Sequence, residues 1–386
     1  MISYGTLALI AAVGLLGPIL TLLPTRFAPP VVIGEIAAGV IFGRTGTRTI
    51  VATQPTLAFL ADIGFVLLMF IVAISIPIRD RRLRAAGARG ASATALTVAL
   101  AIAVSPAIAA VSGLHRPGVI AVILASSSAA IILPIIGSHG LDDALLVTIA
   151  WVSFADIVTV LAVPFLLTTD GVGRAFLGAA LVVAGAIAFG LLIHRLLAVA
   201  PVEELRHASH RRGWAFDLRL SLLVLFTLAW IAERFDTSAL LAGFAAGVMV
   251  SFLGEPRRVA DQLIGLGEGF FVPLFFVVLG ARIDLRALVH SRDDLVLFAA
   301  LAVGTTVVPV VVAMLVRLPL TSGLLAAAEM GVPSAVATLG LASNALRPGQ
   351  AAAIVGAATV SLAVTSFGAI RLGVNPSVRP EPDDAA

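Results

Sequence analysis

Long apolar runs separated by short polar loops recur from one end of this chain to the other. Each is about 17–25 residues, the length of helix that crosses a hydrocarbon core of about 30 Å. The runs fall at roughly 3–24, 29–43, 54–77, 88–112, 117–137, 142–167, 173–197, 214–233, 237–253, 259–281, 294–316, 320–342 and 349–372. The pattern predicts an all-α polytopic membrane protein of about 13 transmembrane helices, with no soluble domain left over. The first run lacks the basic n-region of a signal peptide and is too long for its h-region, so it counts as a span.

Composition changes this picture little, at 60% hydrophobic and 12% charged residues. Charge adds an orientation. All 25 basic residues are Arg, and 16 of them fall in the odd-numbered loops and at the C-terminus. The positive-inside rule then places the N-terminus outside and the C-terminus in the cytoplasm, in what is expected to be a prokaryotic plasma membrane. The two densest patches, "RDRRLRAAGAR" and "RLLAVAPVEELRHASHRRG", read as lipid-headgroup anchors rather than as a nucleic-acid surface, since the net charge is only +3. With no Cys, disulfides and thiolate metal sites are excluded.

The chain also resembles itself. "FVLLMFIV" at 65–72 lies over "FVPLFFVV" at 271–278, and "SSAAIILPI" at 127–135 over "PSAVATLGL" at 333–341, both at an offset of 206. "EIAAGVIFG" at 35–43 lies over "GFAAGVMVS" at 243–251, at 208. The offset corresponds to seven spans, so the second copy enters the membrane from the opposite side. The expected organisation is a single membrane domain over 1–386: a first inverted repeat over 1–167, a linker helix at 173–197, a second repeat over 214–373 and a short tail at 374–386. Inverted repeats with interrupted helices are the architecture of many secondary transporters. The fifth and twelfth spans carry small polar residues and Pro at their centres, "ASSSAAIILP" and "EMGVPSAVATLG", and are the ones expected to break.

One carboxylate interrupts the sixth span, "WVSFADIVTVLAVPFLL", close to its middle. An acid at a helix centre costs about 2.5–3.5 kcal/mol on insertion scales, so Asp156 is expected to face a cavity or carry out chemistry. Ser153 and Thr159, three residues to either side, extend a polar stripe along one face. Removal from water favours the protonated form of a carboxylate, so the group can hold H⁺ or a partly dehydrated Na⁺ or K⁺, but not both. Hard cations take oxygen ligands, which the hydroxyls and freed carbonyls around Ser126, Ser127, Ser128 and Ser334 could supply; helix packing and back-bonding are the alternative roles for these serines.

The strings "PPVVIGEIAAGVIFGRTG", "LADIGFVLLMFIVAISI", "ASSSAAIILPIIG", "ALLAGFAAGVMVS" and "FFVPLFFVVLGARIDL", in this order, resemble the monovalent cation:proton antiporters of the Kef and NapA type. The resemblance covers nearly the whole chain. It implies an NhaA-like fold with spans 1–3 and 8–10 forming a dimerisation domain, spans 4–6 and 11–13 a mobile core, and span 7 a link. It also implies that Asp156 matches the family's essential aspartate and that the protein is a homodimer.

Three departures stand out. Ala155 occupies the place where relatives carry Asp, Asn or Gln; Ser75 stands where many have Glu; and only Thr305 and Thr306 lie near the position of a Lys that many relatives place opposite the aspartate. Glu329, just before the second expected break, is either a second titrating group or the partner of an Arg at the helix end. Arg282 ends the tenth span, where some relatives also carry a basic residue. Glu35, Asp62 and Glu268 read as structural acids near helix starts.

His207 and His210 have no third ligand nearby, and "GLGEG" at 265–269 follows no strand, so close helix packing explains it better than a phosphate loop. The pairs Gly39/Gly43 and Gly243/Gly247 read as helix contacts. No enzyme signature and no cofactor site emerge. The reading that fits best is electroneutral exchange of Na⁺ or K⁺ for H⁺ at Asp156 by a moving core. A same-fold transporter of a small organic ion, or a non-transporting scaffold, remain the alternatives. After the last span only "VNPSVRPEPDDAA" follows, so no nucleotide-binding regulatory domain is expected.

Overall fold

The computed structural model describes residues 4–21, 31–75, 81–129, 131–132, 142–167, 172–197, 216–235, 239–253 and 257–372. Among them every regular element is helical: α1 (Tyr4–Thr21), α2 (Val31–Phe42), α3 (Pro55–Ser75), α4 (Arg81–Val111), α5 (Pro117–Ala125), α6 (Asp143–Leu167), α7 (Val172–Leu197), α8 (Phe216–Arg234) and α9 (Ala239–Leu253). Then come α10 (Arg257–Leu266), a π-helical turn (Gly267–Phe271), α11 (Val272–Arg282), α12 (Leu285–His290), α13 (Arg292–Leu315), α14 (Leu320–Ala326), α15 (Gly331–Ala342) and α16 (Pro348–Arg371). Among the described residues 8 helical stretches are long and apolar enough to cross a bilayer, and two shorter apolar helices accompany them. The chain is therefore an integral, multi-pass membrane protein.

Several elements depart from the hydropathy pattern for local reasons. α4 begins at Arg81, seven residues ahead of the expected 88, because Arg and Ala are strong helix formers whether or not the segment is apolar. The second Arg patch and the tail lie mostly outside the described residues. The tenth span is one helical run with a π turn at Gly267–Phe271. There Gly267 meets Ile71, while a Cβ at Gly265 or Gly269 would touch nothing, so close packing explains only one glycine of "GLGEG". α12 falls in an expected loop; Asp284 caps it by accepting from the Ala287 N–H at 3.0 Å. The preceding turn is tied to the loop after α2 by an ion pair from Arg44 to Asp284 at 3.0 Å and by Thr45, which donates to the Ile283 carbonyl at 2.8 Å.

Close backbone approach organises the packing. A Cβ at Gly39 would lie 2.2 Å from the Val277 carbonyl oxygen, and one at Gly280 would lie 2.3 Å from that of Ile36, so α2 and α11 touch through their backbones. α9 meets α3 in the same way, Gly243 against Val66 and Gly247 against Phe70. Without a hydrophobic driving force between helices in lipid, such small-residue contacts are what let dispersion and packing hold spans together. α4 lies along α6 with Gly90 against Ala150. Thr94 donates to the Trp151 carbonyl at 3.0 Å, and the Trp151 indole donates to Thr97 at 2.9 Å. That pairing fixes the register of the helix carrying Asp156.

Candidate functional site

Two helical runs are interrupted in the interior. α5 ends at Ala125; residues 126–128 are not helical, with Ser126 extended, and helix resumes at Ala129. α14 ends at Ala326, and α15 starts at Gly331 after a four-residue break. The sequence places small residues and Pro at both points, and a break that frees backbone groups is tolerated at membrane depth only where protein covers it. The remainder of the fifth span beyond Ile132 lies outside the described residues.

The breaks meet each other. The Ser128 N–H donates to the Ala328 carbonyl at 2.6 Å, and the Ser126 hydroxyl donates to the Glu329 carboxylate while lying 2.8 Å from the Ile123 carbonyl. Both α5 and α15 also pack on α6, the helix of Asp156. Asp156 is only 4% exposed, and its carboxylate faces the backbone N–H of Ala129, at the restart of the fifth span. A helix start offers just such donors to a negative group.

What remains unpaired is the chemical signature of the region. Asp156 Oδ2, Glu329 Oε1 and the hydroxyls of Ser127, Ser153 and Ser334 are buried and have no hydrogen-bond partner. Buried polar atoms normally find partners. A set of orphaned oxygens on three mutually packed elements is a donor set suited to a hard monovalent cation. Thr159 differs: it is buried but donates to the Ala155 carbonyl at 2.7 Å, leaving only its lone pairs for another role. Ser128 contributes through its backbone.

Other anticipated residues stand elsewhere. Thr305 and Thr306 both donate back to the Ala302 carbonyl of α13, at 3.5 and 3.3 Å. Arg282 interacts electrostatically with Asp62 of α3, and Glu35 with Glu268. Thr338 was not anticipated: its buried hydroxyl is also unpartnered, four residues beyond Ser334 and so on the same face of α15. That spacing was legible in the sequence.

Residues 8–372 match the family described as Sodium/hydrogen exchanger, transmembrane. The chain is 23% identical over 385 residues to the YjbQ protein of Bacillus subtilis, covering 93% of this chain and 61% of that protein. It is 32% identical over 194 residues to the High-affinity Na(+)/H(+) antiporter NhaS3 of Synechocystis sp., covering 47% of this chain and 40% of that protein. The chain thus spans less than two thirds of the length of these relatives. Its fold is similar to that of the sodium proton antiporter MjNhaP1 from Methanocaldococcus jannaschii, with a TM-score of 0.61 at 17% identity over 96% of this chain and 98% of that one.

Proposed function

The chain belongs to the sodium/hydrogen exchanger family, whose members are transporters rather than enzymes, and on that premise we propose that it exchanges Na⁺ or K⁺ for H⁺ at Asp156. The observation that carries this is the state of the Asp156 carboxylate: buried, facing the Ala129 N–H, and with Oδ2 left without a partner beside two interrupted helices. A proton satisfies that oxygen as a hydroxyl, and a dehydrated cation satisfies it as a ligand. The two occupants exclude each other, which is all that antiport needs.

Ser127, Ser153 and Ser334, with Thr338, supply the other oxygens. Ser126 and Glu329 join the two breaks, and Thr159 borders the site. The finer organisation belongs to the same proposal: thirteen spans in two inverted repeats, a homodimer, and a core of spans 4–6 and 11–13 that slides against the rest. The matched contacts of α2 with α11 and of α9 with α3 support the repeat, since the offset of 206–208 carries one pair onto the other. Coupled alternation of such a core moves the site between the two sides of the membrane.

Asp156→Asn tests the centre of this reading. Asn fills the same space and tolerates a midplane position better, so the variant should fold and pack normally in detergent but lose Na⁺- and K⁺-driven proton release in proteoliposomes. Substantial exchange by the Asn variant would remove Asp156 from the mechanism.

A further inference from the structure

The face formed by α4 and α13 contains a cavity of about 580 Å³ that no polar side chain lines. It runs from Leu100 to Ile108 on α4 and from Val296 to Val311 on α13, and it exists because Ala299, Ala300 and Gly304 are too small to fill it. Sixteen residues of helix are about 24 Å long, most of the thickness of a hydrocarbon core of about 30 Å. Both walls belong to membrane-crossing helices, so the groove lies at a depth where the surrounding solvent is acyl chain.

One end of the groove carries charge. α13 begins at Arg292, one turn before Val296, and the turn between α4 and α5 lies against it: a Cβ at Gly113 would sit 2.9 Å from Asp293 Oδ2. That turn ends at Arg116. Asp294 is taken up by Arg347 at 3.1 Å, and no ion pair among the described residues holds Arg116 or Arg292. Three arginines against two aspartates leave one positive charge at this mouth, with His115 beside it. A glycerophospholipid has the complementary form, a singly negative phosphodiester above a long apolar chain, and Arg presents a planar fork of donors matched to phosphate oxygens.

We propose that the α4–α13 groove is a phospholipid site, with one acyl chain lying between Leu100 and Val311 and the phosphate held at Arg116 and Arg292. Against bulk lipid the gain comes from filling a void that otherwise forfeits dispersion contacts. Arg292 and Arg116 select the headgroup. The site is a place for a resident lipid that travels with these two helices, distinct from the annulus around the protein.

Native mass spectrometry of delipidated protein titrated with phosphatidylglycerol tests this. Wild type should retain one lipid at least tenfold more tightly than the rest. Ala300→Phe, which fills the groove, should abolish that tight site. Leu295→Phe, which places the same aromatic ring on α13 outside the groove, should not. Arg292→Gln, at an exposed position, should weaken the site severalfold while leaving the protein folded, and inorganic phosphate at millimolar concentration should not displace the lipid. Uniform, weak lipid adducts in wild type would mean annular lipid only and overturn the proposal. So would equal retention by wild type and Ala300→Phe, or equal loss in Ala300→Phe and Leu295→Phe. If Ala300→Phe does not fold, the Arg292→Gln titration decides: unchanged affinity there refutes the headgroup contact and with it the site.

Discussion

Ser126 donates to the carboxylate of Glu329 across 203 residues of sequence, so one hydroxyl ties the first interrupted helix to the second. The two groups are buried in the protein interior, with Glu329 only 1% exposed. Truncating a donor to a buried acceptor costs about 1–3 kcal/mol. Ser126→Ala should therefore lower the thermal midpoint in detergent. Glu329→Gln, whose amide oxygen still accepts from Ser126, should lower it less. Equal midpoints for wild type and Ser126→Ala would show that the bond contributes no net stability.

The number of charges moved per cycle is a separate matter. Exchange with only Asp156 titrating carries one H⁺ against one cation and moves no net charge, because Ala155 is not an acid and the chain contains no Lys to act as a second proton carrier. An imposed membrane potential should then leave the equilibrium cation gradient unchanged. A shift that vanishes in Glu329→Gln would make Glu329 a second carrier. A shift that persists in that variant would refute exchange through a single carboxylate.

Competition fixes the sign of the pH dependence. Where the proton occupies the carboxylate the cation cannot bind, so apparent cation affinity falls as pH drops, by up to about tenfold per pH unit below the apparent pKa of the site. It reaches a plateau above that value. Isothermal titration with Na⁺ and K⁺ at a series of pH values measures this, and an affinity that stays flat from about pH 5 to 9 contradicts a shared site.

Glycines of the same helical type should respond oppositely to substitution. At Gly39 an added Cβ would lie 2.2 Å from a backbone oxygen of α11, which cannot step aside without moving the helix. Gly39→Ala should lose about 1–3 kcal/mol from overpacking. At Gly87 there is nothing within 4 Å, and Gly87→Ala should be neutral or gain about 0.5–1 kcal/mol of helix propensity. Thermal unfolding of the two variants side by side decides it; equal losses would mean that the α2–α11 contact is looser than its geometry indicates.

Much of this arrangement was legible in the residues. A carboxylate in the middle of an apolar run, Pro and Ser at the centres of two others, and glycines four apart are local signals, and local signals survive in a string of letters. Asp156, the breaks after Ala125 and Ala326, and the close contacts of Gly39 and Gly243 follow from them. The π turn at Gly267–Phe271 was not legible, because it depends on how α10 and α11 seat against α3. The approach of Ala129 to Asp156 and the pairing of Ser126 with Glu329 join residues whose proximity only the packed structure defines. The hydroxyls of Thr305 and Thr306 looked available in the sequence because back-bonding to Ala302 leaves no trace in spacing.

Trp151 is 1% exposed, hydrogen-bonded to Thr97 through its indole, and five residues before Asp156 on the same helix. The chain has 3 Trp in all; Trp230 is 62% exposed, and Trp214 lies outside the described residues. Replacing those two with Phe would leave a single fluorophore in dry surroundings about one and a half turns from the proposed ion site. Emission from that indole depends on local field and polarity, so binding of a charge nearby would be read as a change in colour or brightness without any attached dye. The same hydrogen bond that sets the register of α6 thus gives the protein a built-in optical gauge.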